Sequence, residues 1–220
     1  MATHETPLAC FTKTGGAISA FLFDMFLFPE VADRVFHEIR QVTQGQRLLQ
    51  ITDRSSLPYT EAVWKEAIRW NPFFTLSVPH VNSQEEVLRG FRIPKGSVIG
   101  QNMGFIFTDP KVWGDPEVFR PERFLSERTS DSLPNPLNIV FGFGSRICPG
   151  MYLADRAGFH VAATTASLFH ILPLEGNQRP DPATVKYADM PLRVPIDFTA
   201  RFIARDHHAE HLLRTLSLDK

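Results

Sequence analysis

The chain has 220 residues, enough for one sizeable domain, and its 43% hydrophobic content argues for a packed globule over disorder. Its 23 basic residues against 24 acidic ones leave a net charge of −1, so nothing in the charge balance points to nucleic acid. Only Cys10 and Cys148 are present, which excludes a disulfide framework, fits a reducing compartment and leaves Cys148 available to a metal.

The opening Met-Ala-Thr-His-Glu has no basic n-region, and the apolar stretch of residues 15–28 is short and interrupted by Asp24. Neither a signal peptide nor a transmembrane helix is expected from them. Residues 17–28 are apolar nearly all round, which predicts a helix buried on several sides. Pro29 restarts a helix with Val31, Val35, Ile39 and Val42 on one face, and Gly45 is its predicted stop. Residues 57–70 form a third helix, ended by Asn71-Pro72. Short extended runs at 75–78, 87–93 and 97–101, with Pro94-Lys95-Gly96 as a turn, predict a small antiparallel sheet. Residues 109–140 are rich in Pro and Asp without periodicity and read as an irregular connection held by specific contacts.

A long helix over residues 151–172 follows, with Phe159, Ala162, Ala163, Ala166 and Phe169 available for burial. A terminal hairpin over residues 194–198 and 202–204 is predicted next. Beyond it, residues 207–220 read as a solvated tail. His207 and His211 would share a helix face there, but Glu210 does not complete an H-E-x-x-H metal motif. The 19 phenylalanines imply a large apolar interior or a surface that expects a partner.

The chemistry concentrates in Phe141-Gly142-Phe143-Gly144-Ser145-Arg146-Ile147-Cys148-Pro149-Gly150, one cysteine in a glycine-punctuated loop just before a helix. At the mouth of that helix, unpaired backbone N–H groups and the positive end of the dipole favour an anionic sulfur, which makes Cys148 a candidate metal ligand. Gly142, Gly144 and Gly150 permit positive φ and leave no side chains to block a large flat ligand. A haem fits this description. Phe141 would wall water from the sulfur, and Arg146 would offer a cationic fork to a haem propionate. The loop is not a dinucleotide fingerprint, since Ile147 stands where G-x-G-x-x-G needs glycine, and it is not a c-type haem attachment site. The plain alternative is a buried structural thiol at a loop-to-helix junction.

The string FGFGSRICPG resembles the cysteine-ligand loop of the cytochrome P450 family. The resemblance spans residues 20–205 and is closest to fungal members in LPYTEAVWKEAIRWNP. It implies an α+β, mainly α fold: the C-terminal portion of the cytochrome P450 fold with small antiparallel β-sheets, one incomplete domain over residues 1–206 and a tail over 207–220. Glu66-x-x-Arg69 resembles the family's helix motif, and Arg123 of Pro121-Glu122-Arg123-Phe124 would join it in a buried structural triad. His80 corresponds to a basic position that reaches a haem propionate, and Arg156 is a candidate contact for an acidic electron donor. The family's proton-delivery acid and threonine are not recognisable. Counting back from Pro29 reaches Thr12-Lys13-Thr14, where Thr14 is the remaining hydroxyl.

The resemblance further implies haem b ligated by the Cys148 thiolate. It implies monooxygenation of a small lipophilic organic substrate with O2, and electrons from an NADPH-dependent reductase. The endoplasmic reticulum membrane, cytosolic face, is the family's location, while the absence of an anchor in this chain makes a cytoplasmic location the alternative. Two rival readings accompany it: a non-catalytic fragment that binds haem poorly or not at all, and a haem-thiolate sensor or carrier.

Overall fold

The computed structural model describes residues 7–125, 133–188, 193–196 and 198–218, with side chains in the first and last helices described from residue 13 and up to residue 215. Helix α1 (Pro7–Leu27) runs into α2 (Pro29–Thr43) through a bend of 110°. Pro29 has no N–H to donate and stands at the first position of α2, so the chain can restart there in a new direction. The N–H groups of Val31 and Ala32 both reach the Phe28 carbonyl across the corner. At its far end α2 stops on Gln44 in the left-handed region (φ 55°), followed by Gly45.

Helix α3 (Pro58–Trp70) is capped from outside. The Glu38 carboxylate of α2 accepts from the backbone N–H groups of Tyr59 and Thr60 at 2.8 and 2.7 Å, and from the Thr60 hydroxyl at 2.6 Å. A negative group at a helix N-terminus satisfies free donors and opposes the dipole, so Glu38 fixes α2 against the start of α3.

The principal core lies where α1, α2, α3 and α7 (Met151–Leu168) meet. It joins Phe21, Phe23 and Phe26 to Val35 and Ile39, to Val63, Trp64 and Ala67, and to Phe159, Ala162, Ala163 and Ala166. The alanines of α7 present a narrow face, which lets α1 approach closely. A second, smaller core gathers Met103 and Phe107 of α4 (Met103–Thr108), Trp113 of α5 (Pro110–Trp113) and Ile139 of α6 (Leu137–Val140). Within the irregular connection held by specific contacts expected over 109–140, the short helices α5 and α6 form, and residues 126–132 of it lie outside the described residues.

The small sheet of the sequence reading is two separate pairs. Strand β1 (His80–Val81) pairs antiparallel with β4 (Val98–Ile99), and β2 (Glu86–Leu88) pairs with β3 (Phe91–Ile93). The single run expected over 87–93 is split because Arg89 and Gly90 turn the chain with φ of 51° and 84°. Residues 75–78 contribute only a bridge, Leu76 to Asn102.

The terminal hairpin is corrected. Helix α7 ends at Leu168 and not at 172, and β5 (Phe169–Pro173) pairs antiparallel with β6 (Ala200–Ala204), Ile171 facing Phe202. Arg205 imposes this end. Its Nε donates to the Ala166 and Phe169 carbonyls at 2.9 and 3.1 Å, and its backbone N–H donates to the Leu168 carbonyl at 2.9 Å. Carbonyls that a continuing helix would have used are thereby satisfied. Residues 194–196 pair back onto 186–188 instead, through the bridge between Tyr187 and Pro195.

Residues 207–218 of the expected tail are helical, and most of their described side chains are exposed or half-buried. They form α8 (His207–Leu218), with Ala209 buried and Asp206 accepting from the Ala209 N–H at 2.8 Å at its start.

Candidate functional site

The cysteine loop leaves α6 at Phe141 and closes on itself at Cys148, whose N–H donates to the Phe141 carbonyl at 2.9 Å. The Cys148 carbonyl in turn accepts from Met151 N–H at 3.2 Å, so the sulfur-bearing residue is joined directly to the first turn of α7. Within this ring Gly142 and Gly144 hold φ of 79° and 64°, a region costly to residues with a Cβ. Gly150 differs from expectation: its φ is −86°. Its lack of a side chain matters for proximity, because a Cβ there would stand 3.9 Å from the Cys148 sulfur.

The thiol is free and half-buried. Phe141 is half-buried, Arg146 is exposed, and the apolar side chains of Phe143 and Ile147 are exposed at 63% and 41%. A Cβ placed at Gly142 or Gly144 would meet nothing within 4 Å, so the loop faces open space across both glycines. Among the described residues no group of three or more His, Cys, Asp and Glu side chains could hold a metal ion. A flat apolar macrocycle that brings its own metal ligands suits the single thiol, the glycines and the exposed Phe143 and Ile147. The residues present fit a haem.

What holds the loop in place is a buried ion cluster. Glu66 and Arg69 of α3 are 0% and 1% exposed, and Arg123 of the short 3-10 turn Pro121–Phe124 is 5% exposed. Arg69 grips Glu66 with two parallel bonds of 2.7 and 2.8 Å, while Arg123 Nε and the Arg120 backbone N–H donate to Glu66 Oε1 at 3.1 and 2.8 Å. The spare guanidinium donors stitch the irregular segment. Arg69 reaches the Phe107, Pro116 and Val118 carbonyls, and Arg123 reaches those of Trp113, Asp115 and Val118. Phe107 and Trp113 pack on Ile139, whose carbonyl accepts from Gly142 N–H at 3.2 Å. A continuous path of packing and hydrogen bonds thus leads from Glu66 to the first glycine of the cysteine loop.

A second clamp, not anticipated from the sequence, acts on the other side of Cys148. Asp155, on the second turn of α7, accepts two bonds from Arg54 at 2.7 and 3.1 Å and one from the Trp64 indole at 2.8 Å. Arg54 also bonds Glu61 at 2.8 Å and lies over the Phe159 ring at 4.3 Å. Gly158 lets Trp64 pass beneath α7, because a Cβ there would come within 3.0 Å of the indole.

The remaining candidates are placed but not joined to Cys148. His80 is exposed on β1, opposite Ile99. Thr14 lies on α1 with its methyl 3.6 Å from the position a Gly158 Cβ would take, so what is seen of it is a packing contact with α7. Lys13 stands over the Phe74 ring at 5.8 Å. His207 is exposed on α8, 3.7 Å from Glu210.

Comparisons with known proteins place the chain among relatives of one family. A family model described as Cytochrome P450 matches residues 5–192. The O-methylsterigmatocystin oxidoreductase of Aspergillus flavus is 34% identical over 209 residues, covering 94% of this chain and 38% of that protein. The Cytochrome P450 monooxygenase ple1 of Rhodocybe pseudopiperita is 36% identical over 208 residues, 93% of this chain and 40% of its own. The Tryptamine 4-monooxygenase of Psilocybe cyanescens is 33% identical over the same share of each. Among solved structures, a zebra fish cytochrome P450 with abiraterone superimposes with a TM-score of 0.75 at 29% identity, covering 88% of this chain and 45% of that one. The chain spans about two fifths of the length of the curated relatives it matches.

Proposed function

The chain belongs to the cytochrome P450 family, and on that premise we propose that it is the haem-binding portion of a haem-thiolate monooxygenase acting on a small lipophilic organic substrate. The observation that carries the proposal is the cysteine loop: a single free thiol, two glycines in the left-handed region, and open space in front of them. When bound, the haem would supply O2 activation and insertion of one oxygen atom, with two electrons from an NADPH-dependent reductase.

The protein's own residues have the following parts. Cys148 is the iron ligand, and its fixed hydrogen bond to Phe141 holds the sulfur at one place over the loop. Gly142, Gly144 and Gly150 keep the ligand face clear, and Phe141, Phe143 and Ile147 keep it dry. Arg146 and His80 are assigned to the propionates, Arg146 as a charge-assisted donor. Glu66, Arg69 and Arg123 are structural. Thr14 is the proposed hydroxyl for proton handling, without an acidic partner at Thr12 or Lys13, and Arg156 the proposed contact for the reductase. By its family the protein is assigned to the cytosolic face of the endoplasmic reticulum, although no single helix among the described residues is long and apolar enough to cross a membrane.

A second reading, a chain that does not turn over as it stands, is favoured by one observation. Strands β1 to β4 are exposed nearly throughout, with Val81, Val87, Leu88, Phe91 and Val98 at 62–76%. Two-stranded pairs with so much open apolar surface need a covering surface for stability. The test is haem reconstitution followed by incubation with reductase, NADPH, isotopically labelled O2 and a panel of lipophilic compounds. Labelled product supports the monooxygenase. Haem binding without product, across a panel that positive-control enzymes oxidise, supports a sensor or carrier, and no haem binding supports the second reading.

A further inference from the structure

Asp24 lies on the buried side of α1 with no solvent exposure, and Asn71, at the end of α3, is 1% exposed. Asn71 Nδ2 donates to Asp24 Oδ1 at 3.1 Å. The other oxygen of each side chain, Asp24 Oδ2 and Asn71 Oδ1, is buried without a hydrogen-bond partner. Both are acceptors, and buried acceptors left alone are uncommon and costly. Arg193, the cation that acts most strongly on Asp24, makes no hydrogen bond to them. The Arg193 guanidinium sits 4.0 Å above the Tyr187 ring, and its Nε is itself unpartnered.

We propose that Asp24 and Asn71 form a buried proton-binding site. One proton on Asp24 Oδ2 donates to Asn71 Oδ1, closing a neutral carboxylic acid–amide pair with two parallel hydrogen bonds. That single proton satisfies both orphaned oxygens at once and removes a charge from a site without water access. The surroundings agree in direction: burial pushes the Asp24 carboxyl well above the usual range and nearby Glu66 adds to this, outweighing the Asn71 bond, Arg193 and Arg69. Tyr187 faces the same cluster and is held above its own usual value, first by burial.

The site joins the helix bearing Thr14 to the point where the chain leaves α3 toward Phe73, whose ring lies against Gly16. Its ligand is the proton, and its consequence is a joint between α1 and α3 that alkali loosens. An unfolded aspartate titrates near 3.9, so above about pH 4 unfolding releases the proton. The folding constant then falls about tenfold per pH unit until the folded carboxyl itself ionises.

The experiment compares the full 220-residue chain with Asp24→Asn, whose amide can make the same two bonds without titrating. Unfolding by urea at several values between pH 5 and 9 should show the wild-type folding constant falling relative to the variant as pH rises, by at most about tenfold per unit and levelling once the folded carboxyl ionises. Infrared spectra at pH 7 should show a protonated-carboxyl band in wild type that the variant lacks. A wild-type–variant difference that does not change with pH, with no carboxyl band, would overturn the proposal and make Asp24 an ionised partner of Arg193. If Asp24→Asn does not fold, the wild-type band decides alone: present at pH 7 and lost in alkali supports the site, and its absence at pH 7 sinks it.

Discussion

Arg123 donates to Glu66 at 3.1 Å from a position 57 residues further along the chain, and both side chains are almost wholly excluded from water. This ion pair ties the 3-10 turn Pro121–Phe124 to α3. Glu66 receives four hydrogen bonds, while the two arginines spend their remaining donors on backbone carbonyls. Removing Arg123 leaves Glu66 partly unpaired and strands the Trp113 carbonyl, while the Asp115 carbonyl keeps the Val118 N–H. The expected cost of Arg123→Ala is about 3–5 kcal/mol, read as a lower urea midpoint. Arg69→Lys should cost nearly as much, since a point charge cannot reproduce the fork.

The two left-handed glycines of the loop separate backbone strain from ligand exclusion. A Cβ at Gly142 meets no protein atom within 4 Å, so Gly142→Ala should lose only about 1–2 kcal/mol of stability. Haem uptake should fall more steeply than stability, because the methyl projects into the face assigned to the ligand. Denaturation and haem titration on the same variant check both parts.

Asp155 anchors the helix that starts beside the cysteine. Asp155→Ala leaves the buried Trp64 indole N–H without an acceptor and removes the bidentate Arg54 pair, an expected loss of about 1–3 kcal/mol. Asp155→Asn keeps an acceptor for the indole and should lose less. The two variants, compared by thermal unfolding, separate the hydrogen bond from the charge.

Gly16 on α1 lies beneath Phe73, and a Cβ there would stand 2.3 Å from three ring atoms. Gly16→Ala gains helix propensity but forces the ring aside, and the overpacking should prevail, with a net loss of about 1–2 kcal/mol. Phe73→Ala in the same background should restore part of the loss, which a double-mutant cycle would measure.

Acid should act on α8 through Asp206. Its carboxyl is held below the usual range, first by the Ala209 N–H and then by Arg40, whose guanidinium bonds the other oxygen. A lowered folded value means that the stabilisation is complete above about pH 4 and is lost as pH falls through the folded value. Asp206→Asn should flatten this acid limb while keeping the cap, and Asp206→Ala should add about 0.5–2 kcal/mol of lost capping. Circular dichroism against pH checks both.

The parts of the fold that were legible in the sequence are those encoded by neighbouring residues. The decapeptide ending at Gly150 is contiguous, and the corner at Pro29 follows from a missing N–H. What escaped depends on distant partners. The end of α7 is set by Arg205, 36 and 39 residues beyond the carbonyls it satisfies, and no local pattern in Phe169-His170-Ile171-Leu172 distinguishes a last helical turn from a strand. Asp155 carries no local signal in the sequence, because Arg54 and Trp64 lie 101 and 91 positions away. The split of residues 87–93 turns on Arg89, a non-glycine residue at positive φ. The Glu66 and Arg69 spacing was visible on one helix face, but only the family resemblance pointed to Arg123.

The central claim is that Cys148 ligates haem iron through its thiolate. The most direct measurement is the carbon monoxide difference spectrum of the purified, haem-reconstituted chain after reduction, beside a Cys148→Ala control. A strongly red-shifted Soret band that disappears in the control is the predicted result. Its absence from a reconstituted wild-type chain, or its survival in Cys148→Ala, would contradict the assignment.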